Sequence, residues 1–534
     1  MLNEDRPKEM SRRQFLTTVG KIGGSAALFS VMGTMGLLSP QTLKAAAFTP
    51  PGKSDLALTS RNGKKVVILG AGIAGLTAAY ELGEAGYDCV ILEARARSGG
   101  RIWSVRRGTT VTEIGAAKQV ARFAPGLYLN AGPMRVPQFH VTMEYCRKFG
   151  IPVEPYNNVN DNAYFYGENI GALSGQKIRK RAAKADIRGY VAEMLAKAVD
   201  QKALDLPLTA EEKEKLVTYL KIEGDLNADL FYKGSSRGGY KEEPGGRLDA
   251  GVIRDPFDLK AILNTGFGNF FSSEYTYDQQ MIMFHPVGGM DAISDAFEKR
   301  LGNRIKHHAE VKEIRQSDSG VRIVYTDLQT GQDQEVTGDY CICTIPLSVL
   351  KDIPADFSPA MSRAIRSTDY DSSGKIGLQF GRRFWEEDEN IYGGSTLTNL
   401  DILGIFYPPT EYLSKKGILL GYYNYGPNAD KLGNMTFQER ENHALKQGAK
   451  IHPQYYKEFE TSFSVNWKKI KYSLGGWASY TEEDRKTHYP LLCKPDRRIY
   501  LAGEHVSYLL GWIAGGIESA RLVVTDIHQR VMKA

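Results

Sequence analysis

A buried-type strand running into a glycine-rich turn near residue 70, a strand-to-helix turn near residue 505, and alternating apolar runs between them predict a chain of the α/β and α+β class. The two turns are far apart in sequence, and the chain between them carries both β-rich and helix-favouring stretches. The 534 residues are 42% apolar and 24% charged, which excludes a disordered, collagen-like or coiled-coil chain. A net charge of +6 is mild at this length and makes no case for nucleic acid as a partner. Half of it, +3, belongs to residues 1–47. Five scattered cysteines, an odd number, exclude a disulfide scaffold. Cys341 and Cys343 are two apart in an apolar run, so on a strand they share a face and read as buried thiols; no metal is expected.

Residues 1–47 carry Ser11-Arg12-Arg13-Gln14-Phe15-Leu16, a mildly apolar stretch from Val19 to Leu38, and the small-residue run Ala45-Ala46-Ala47. This resembles a twin-arginine export signal, which implies a periplasmic or secreted chain with no stable membrane anchor after cleavage. The competing reading is a single membrane anchor, which the glycines and Lys21 in the stretch weaken. Residues 48–61, with Pro50-Pro51-Gly52, read as a linker.

Lys65 to Leu69 is a short apolar run suited to a buried parallel strand. It enters Gly70-Ala71-Gly72-Ile73-Ala74-Gly75, after which Leu76 to Ala85 reads as a helix and Cys89 to Leu92 as a second strand. Glu93 closes the unit 18 residues beyond Gly75. This is a Rossmann-like βαβ pattern, and each part has a physical task. Gly70 permits the tight turn, Gly72 lets backbone approach a pyrophosphate, and Gly75 lets helix pack on strand. The helix start, with Ala74 in its first turn, offers N–H groups and positive potential to phosphates. Glu93 can accept hydrogen bonds from a ribose diol.

The next residues, Glu93-Ala94-Arg95-Ala96-Arg97-Ser98-Gly99-Gly100-Arg101, form a flexible basic loop able to wrap a pyrophosphate. Near the other end, Arg498 to Ala502 reads as a strand leading to Gly503-Glu504-His505. Gly511-Trp512-Ile513-Ala514-Gly515-Gly516 then opens a last helix. Together these segments resemble the flavin amine oxidase superfamily, which implies non-covalently held FAD. The resemblance places Ala94, Arg95, Gly100, Arg101, Met134, Arg135, Val311, Glu504, Gly511, Trp512 and Ile513 beside that cofactor, and makes His505 structural. It implies an FAD-binding domain from 62–110, 284–360 and 484–534, a substrate domain from 111–175, 271–283 and 361–483, and a helical insertion over 176–270. Within the insertion, Lys177 to Gln201 and Ala210 to Ile222 favour helix, while Gly234 to Gly251 reads as a loop.

Asn130-Ala131-Gly132-Pro133-Met134-Arg135-Val136-Pro137 resembles the L-amino acid oxidase branch of that superfamily. There the arginine of the Gly-Pro-Met-Arg run grips the substrate carboxylate, a task suited to the planar guanidinium fork. The competing reading of Arg135 is a structural ion pair. Lys375, in Ser373-Gly374-Lys375-Ile376-Gly377, matches a lysine that acts through water at the flavin; the alternative is an exposed strand lysine. Tyr407 matches a tyrosine that bonds the carboxylate, and a one-residue shift of register would substitute Phe406. Trp477, Gly511 and Trp512 complete the implied substrate site, with Trp467 read as core. The resemblance implies oxidation of L-amino acids by O2 to 2-oxo acids, ammonia and peroxide, in a homodimer or higher homo-oligomer. A monoamine or polyamine oxidase, or an amino acid monooxygenase, are the alternatives on the same fold.

Overall fold

The computed structural model describes residues 63–201, 208–271 and 276–533. The proposed export signal and linker lie outside the described residues. Among those residues no helix is long and apolar enough to cross a membrane.

Strand Lys65–Leu69 lies at the centre of a five-stranded parallel sheet. Asp88–Leu92 and Ile305–Lys306 extend it on one side, Tyr340–Cys343 and Ile499–Leu501 on the other. Only the first two strands are neighbours both in sequence and in this sheet; the other three come from distant parts of the chain, as the discontinuous-segment reading requires. Alternate side chains enter different layers. Val66, Ile68, Ile91 and Ile342 pack with the helices Ile73–Glu84 and Ile513–Lys533. Val67, Leu69, Cys341 and Cys343 face the antiparallel sheet of Ala309–Gln316, Val321–Asp327 and Gln332–Gly338. Both faces are buried, which is why these strands read as unbroken apolar runs. The two thiols share a face in this core, and burial pushes their acidity far out of the reactive range.

The second layer system is a seven-stranded mixed sheet centred on Ser373–Phe380 and Gly417–Tyr425. Its only parallel pairing joins Ser395–Thr398 to Tyr164–Tyr166. Ile376, Leu378, Leu419 and Tyr422 point into one core, Ile418, Leu420 and Val465 into another. Lys375 and Tyr423 stand opposite each other in register on the second side. The stretches expected to favour helix form the helices Lys180–Asp200 and Ala210–Gly224, the second opened by a Thr209–Glu212 capping box. Asp186, fully buried on the first, receives the fork of Arg254 and the hydroxyl of Tyr232. The loop expected over 234–251 holds a small hairpin at its edge, Tyr240–Glu242 with Val252–Ile253.

A buried pair ties the mixed sheet together. Arg440, on helix Phe437–Gly448, meets Glu113 in a two-bond fork of 3.0 and 2.6 Å, and Glu113 also takes the Asn466 backbone N–H at 2.7 Å. Removing one partner strands the other charge away from water. Glu113→Ala should lower unfolding stability by about 3–5 kcal/mol in denaturant titration.

Candidate active site

The loop after the first strand depends on hydrogen-sized side chains. Gly70 has φ +100°, and a Cβ on Gly75 would stand 2.0 Å from the Gly70 carbonyl oxygen. Helix Ile73–Glu84 can therefore begin directly at the strand end. Its start opens on a cavity of about 560 Å3, a size suited to a dinucleotide's reactive half and more. Gly72 lines this cavity, and a Cβ there would meet no protein atom within 4 Å.

Glu93 is buried and accepts the backbone N–H groups of Ala71 and Arg95, both at 2.8 Å. Those bonds fix the carboxylate at the cavity wall beside Gly70, Ala74, Ala94 and Arg95. The Ala309 N–H reaches the Glu93 carbonyl, which brings Val311 to the same wall. In the basic loop the three arginines divide their work. Arg95 lines the wall and donates to Ser473 and the Lys471 carbonyl. Arg97 is not a lining residue; it binds the carbonyls of Ser98, Gly100 and Ile102 and lies 4.8 Å from the Trp103 ring. Burial, then Arg95, pulls its guanidinium down to about 9. Gly100 and Arg101 line the wall, and Arg101 meets Glu504 at 2.9 Å.

Glu504 supplies the clearest sign of a missing polar partner. Its Oε1 is bonded to Arg101 and to the Ala478 N–H, while Oε2 is buried with no partner among the described residues. An orphaned acceptor, a glycine-walled cradle and a helix start on one cavity together fit a bound dinucleotide. Gly511, Trp512 and Ile513 line the same cavity where helix Ile513–Lys533 begins. His505 next door is buried, has neither ring nitrogen bonded, and is held neutral by burial, down to about 3.

Lys375 lines the cavity from the mixed sheet and is buried. Its Nζ donates to the carbonyls of Gly132 and Asn130 and lies 4.4 Å from the Tyr423 ring centroid. Burial, then the charge of Arg135, holds its ammonium well below the usual lysine range. Gly132 and Pro133 line the wall, whereas Met134 lies in the core. Arg135, half-buried and behind that wall, donates Nη2 to the Gln279 side-chain oxygen at 3.0 Å; its Nε is buried without a partner. Trp477 and Trp512 both line the cavity, their indole N–H groups held by Asp371 and Asp278 at 2.8 Å. Trp467, read as core, is buried yet also touches the wall, with its N–H on the Ala131 carbonyl.

The structure corrects the reading of Tyr407. Strand alternation sends Ile405 and Tyr407 into the core away from the cavity, and Phe406 toward the cavity side. The Tyr407 hydroxyl is used by Thr396 and His452, each at 2.7 Å, so no group remains for a substrate. Phe406 brings no hydroxyl. Tyr423, which sequence reasoning missed, lines the cavity and lies 5.7 Å from the Phe406 ring. Its signal was present only as the residue paired with Lys375 across two strands. His140, also missed, stands edge-on to Trp512 at 5.3 Å, and burial lowers it below its ordinary 6.5.

The comparisons with known proteins agree with this geometry. The L-amino acid oxidase bordonein-L of Crotalus durissus terrificus is 29% identical over 493 residues, 89% of each chain. The L-amino-acid oxidase of Gloydius blomhoffii is 29% identical over 499 residues, covering 89% of this chain and 91% of its own. Among solved structures, cyclohexylamine oxidase from Brevibacterium oxydans IH-35A shares the fold with a TM-score of 0.60 at 18% identity, over 88% of this chain and all of its own. A sequence model described as flavin-containing amine oxidoreductase matches residues 73–528, and the chain is a member of that family: an FAD-dependent amine oxidase.

Proposed function

We propose that the chain oxidises L-amino acids: amino acid, O2 and water give a 2-oxo acid, ammonia and hydrogen peroxide. The observation that carries this reading is the uncompensated charge of Arg135. No carboxylate pairs with it among the described residues, and the second cation, Lys375, has none either. A guanidinium with no carboxylate partner favours an anionic substrate, and an α-carboxylate supplies that charge. Arg135 anchors the carboxylate, and the Tyr423 hydroxyl replaces Tyr407 as its neighbour. Trp477 and Trp512 flank the substrate as apolar walls. FAD, when bound, would supply the two-electron redox chemistry between the substrate Cα–H and O2. Gly70, Gly72, Ala74 and the helix start would hold its pyrophosphate, Glu93 a ribose, Val311 the adenine, and Glu504 and Arg101 its middle. Lys375 holds or moves a proton at Nζ during reoxidation. The amine must be neutral for its lone pair to assist hydride departure, so activity falls as pH drops.

The same reading divides the chain into an FAD unit of 62–110, 284–360 and 484–534, a substrate unit of 111–175, 271–283 and 361–483, and the insertion 176–270. Export by the twin-arginine route belongs to it as well; N-terminal sequencing of exported protein starting near residue 48 would support this, and a start at Met1 would refute it.

Peroxide production across L- and D-amino acids and their decarboxylated amines tests the function. Arg135→Ala should lower kcat/KM for L-amino acids by about 100-fold or more, on the order of a lost charge pair, with flavin content unchanged. Selective turnover of amines instead would indicate a monoamine or polyamine oxidase, and an amide product a monooxygenase.

Gly72→Ala and Gly75→Ala should separate cofactor binding from folding. A Cβ on Gly72 enters only cavity space, so the protein should fold with normal thermal stability and lose flavin absorbance on dialysis. A Cβ on Gly75 meets backbone at 2.0 Å and should lower the melting temperature as well.

Lys375→Met should slow flavin reoxidation in stopped-flow while leaving FAD bound. It should also raise stability. The folded chain holds Lys375 below its free value of 10.5, so the burial penalty is absent above that value and grows as pH falls below it. The gain of the variant over the parent should therefore be larger at pH 7 than near pH 10 in paired denaturation curves.

A further inference from the structure

Like Arg97, which is held by backbone carbonyls, Arg135 has no carboxylate partner among the described residues, and in this it differs from the arginines that carry a buried ion pair. Arg440 is held by Glu113, Arg383 by Glu386, Arg254 by Asp186 and Arg101 by Glu504. Each of these is neutralised by a carboxylate. Arg135 is held by a neutral amide, the Gln279 side-chain oxygen at 3.0 Å.

The segment carrying Gln279 is fixed at successive residues. The Tyr277 ring lies 4.2 Å from Phe139; the Asp278 carboxylate takes the Trp512 indole; the Gln280 side chain accepts the Gln138 backbone N–H at 2.8 Å. Asn158 donates to the Gln280 carbonyl at 3.1 Å. A carboxylate is thus available one residue from Gln279, but it is aimed at an indole N–H and not at the guanidinium. The arrangement separates two tasks. The acid orients an apolar wall, and the amide orients the cation without cancelling it.

We propose that Gln279 is the positioning residue that aims the Arg135 guanidinium and, being neutral, keeps its charge free for the substrate carboxylate. This rests on the reading of Arg135 as the carboxylate anchor. Gln279 fixes one nitrogen of the fork, and the remaining N–H groups, including the unpartnered Nε, stay available. An acid at this position would form an internal ion pair and occupy the site in the substrate's place.

Gln279→Glu in the flavin-loaded enzyme tests this, with Gln279→Met as its uncharged companion. The readouts are KM and kcat for an L-amino acid, and the Kd of benzoate by calorimetry, with flavin content and melting temperature as controls. Gln279→Glu should raise both KM and the benzoate Kd by about 30-fold or more, the scale of a cancelled charge pair, with kcat changed much less. Gln279→Met should raise them only about three- to tenfold, since the fork loses its aim but keeps its charge. If Gln279→Glu does not retain flavin, the Gln279→Met values carry the test. Parent-like KM and Kd in the variant tested would overturn the role of Gln279. Arg135→Ala distinguishes the two levels: if it too binds benzoate like the parent, the anchor reading itself fails; if it loses benzoate while the Gln279 variants do not, only Gln279 is wrongly assigned.

Discussion

The molecule turns on the contact between Gly75 and the Gly70 carbonyl. With no Cβ at 75, helix Ile73–Glu84 sits directly on the end of the central strand, and its N–H groups open on the cavity. The same closeness brings the Ala71 N–H onto Glu93, and the Gly99 N–H onto the Ala71 carbonyl at 2.8 Å. One steric constraint therefore sets the helix start, Glu93 and the basic loop together. The C-terminal strand and helix join the same sheet and add Glu504 from the other side. A site drawn from both ends of the chain can form only after the sheet is complete, so cofactor binding is tied to the longest-range pairing in the fold.

Electrostatics then divides the cavity. At Glu504 the charge is partly settled by Arg101, leaving one oxygen unpaired. At Lys375, burial and then the charge of Arg135 weaken the proton affinity of the lysine, and no carboxylate pairs with either group among the described residues. Such a corner opposes folding in isolation. In the proposed function an entering anion offsets that cost, so stability is given up there for binding.

The sequence made the βαβ unit legible because every part of it is local: strand, three glycines, helix and acid lie within 30 residues. The C-terminal strand and helix were legible for the same reason. Tyr407 was misread because its neighbours in sequence do not say which face of a short strand looks at the cavity. Alternation alone decides between Phe406 and Tyr407, and the register of Gly404–Phe406 against its partners sets it. Tyr423 reaches Lys375 through cross-strand pairing 48 residues away, a relation no local motif encodes. Gln279 is 144 residues from Arg135 and carries no charge, so neither spacing nor charge pattern marks it. The hairpin in the 234–251 stretch escaped notice because its strands are two and three residues long and largely exposed.

The proposed neutral holder for a proposed substrate-binding cation has a general physical basis. Two opposite charges 4 Å apart at an effective dielectric near 20 attract by about 4 kcal/mol. A protein carboxylate on Arg135 would claim that attraction permanently, and a substrate would have to displace it. An amide aims the fork with a hydrogen bond whose net contribution is only about 1 kcal/mol, leaving most of the electrostatic energy for the ligand. The nearby Asp278 shows that an acid is tolerated in this segment, provided it faces the Trp512 indole. The order Asp278-Gln279 therefore has a consequence that composition does not show: exchanging the two would leave the segment's net charge unchanged while turning the anchor into an internal salt bridge.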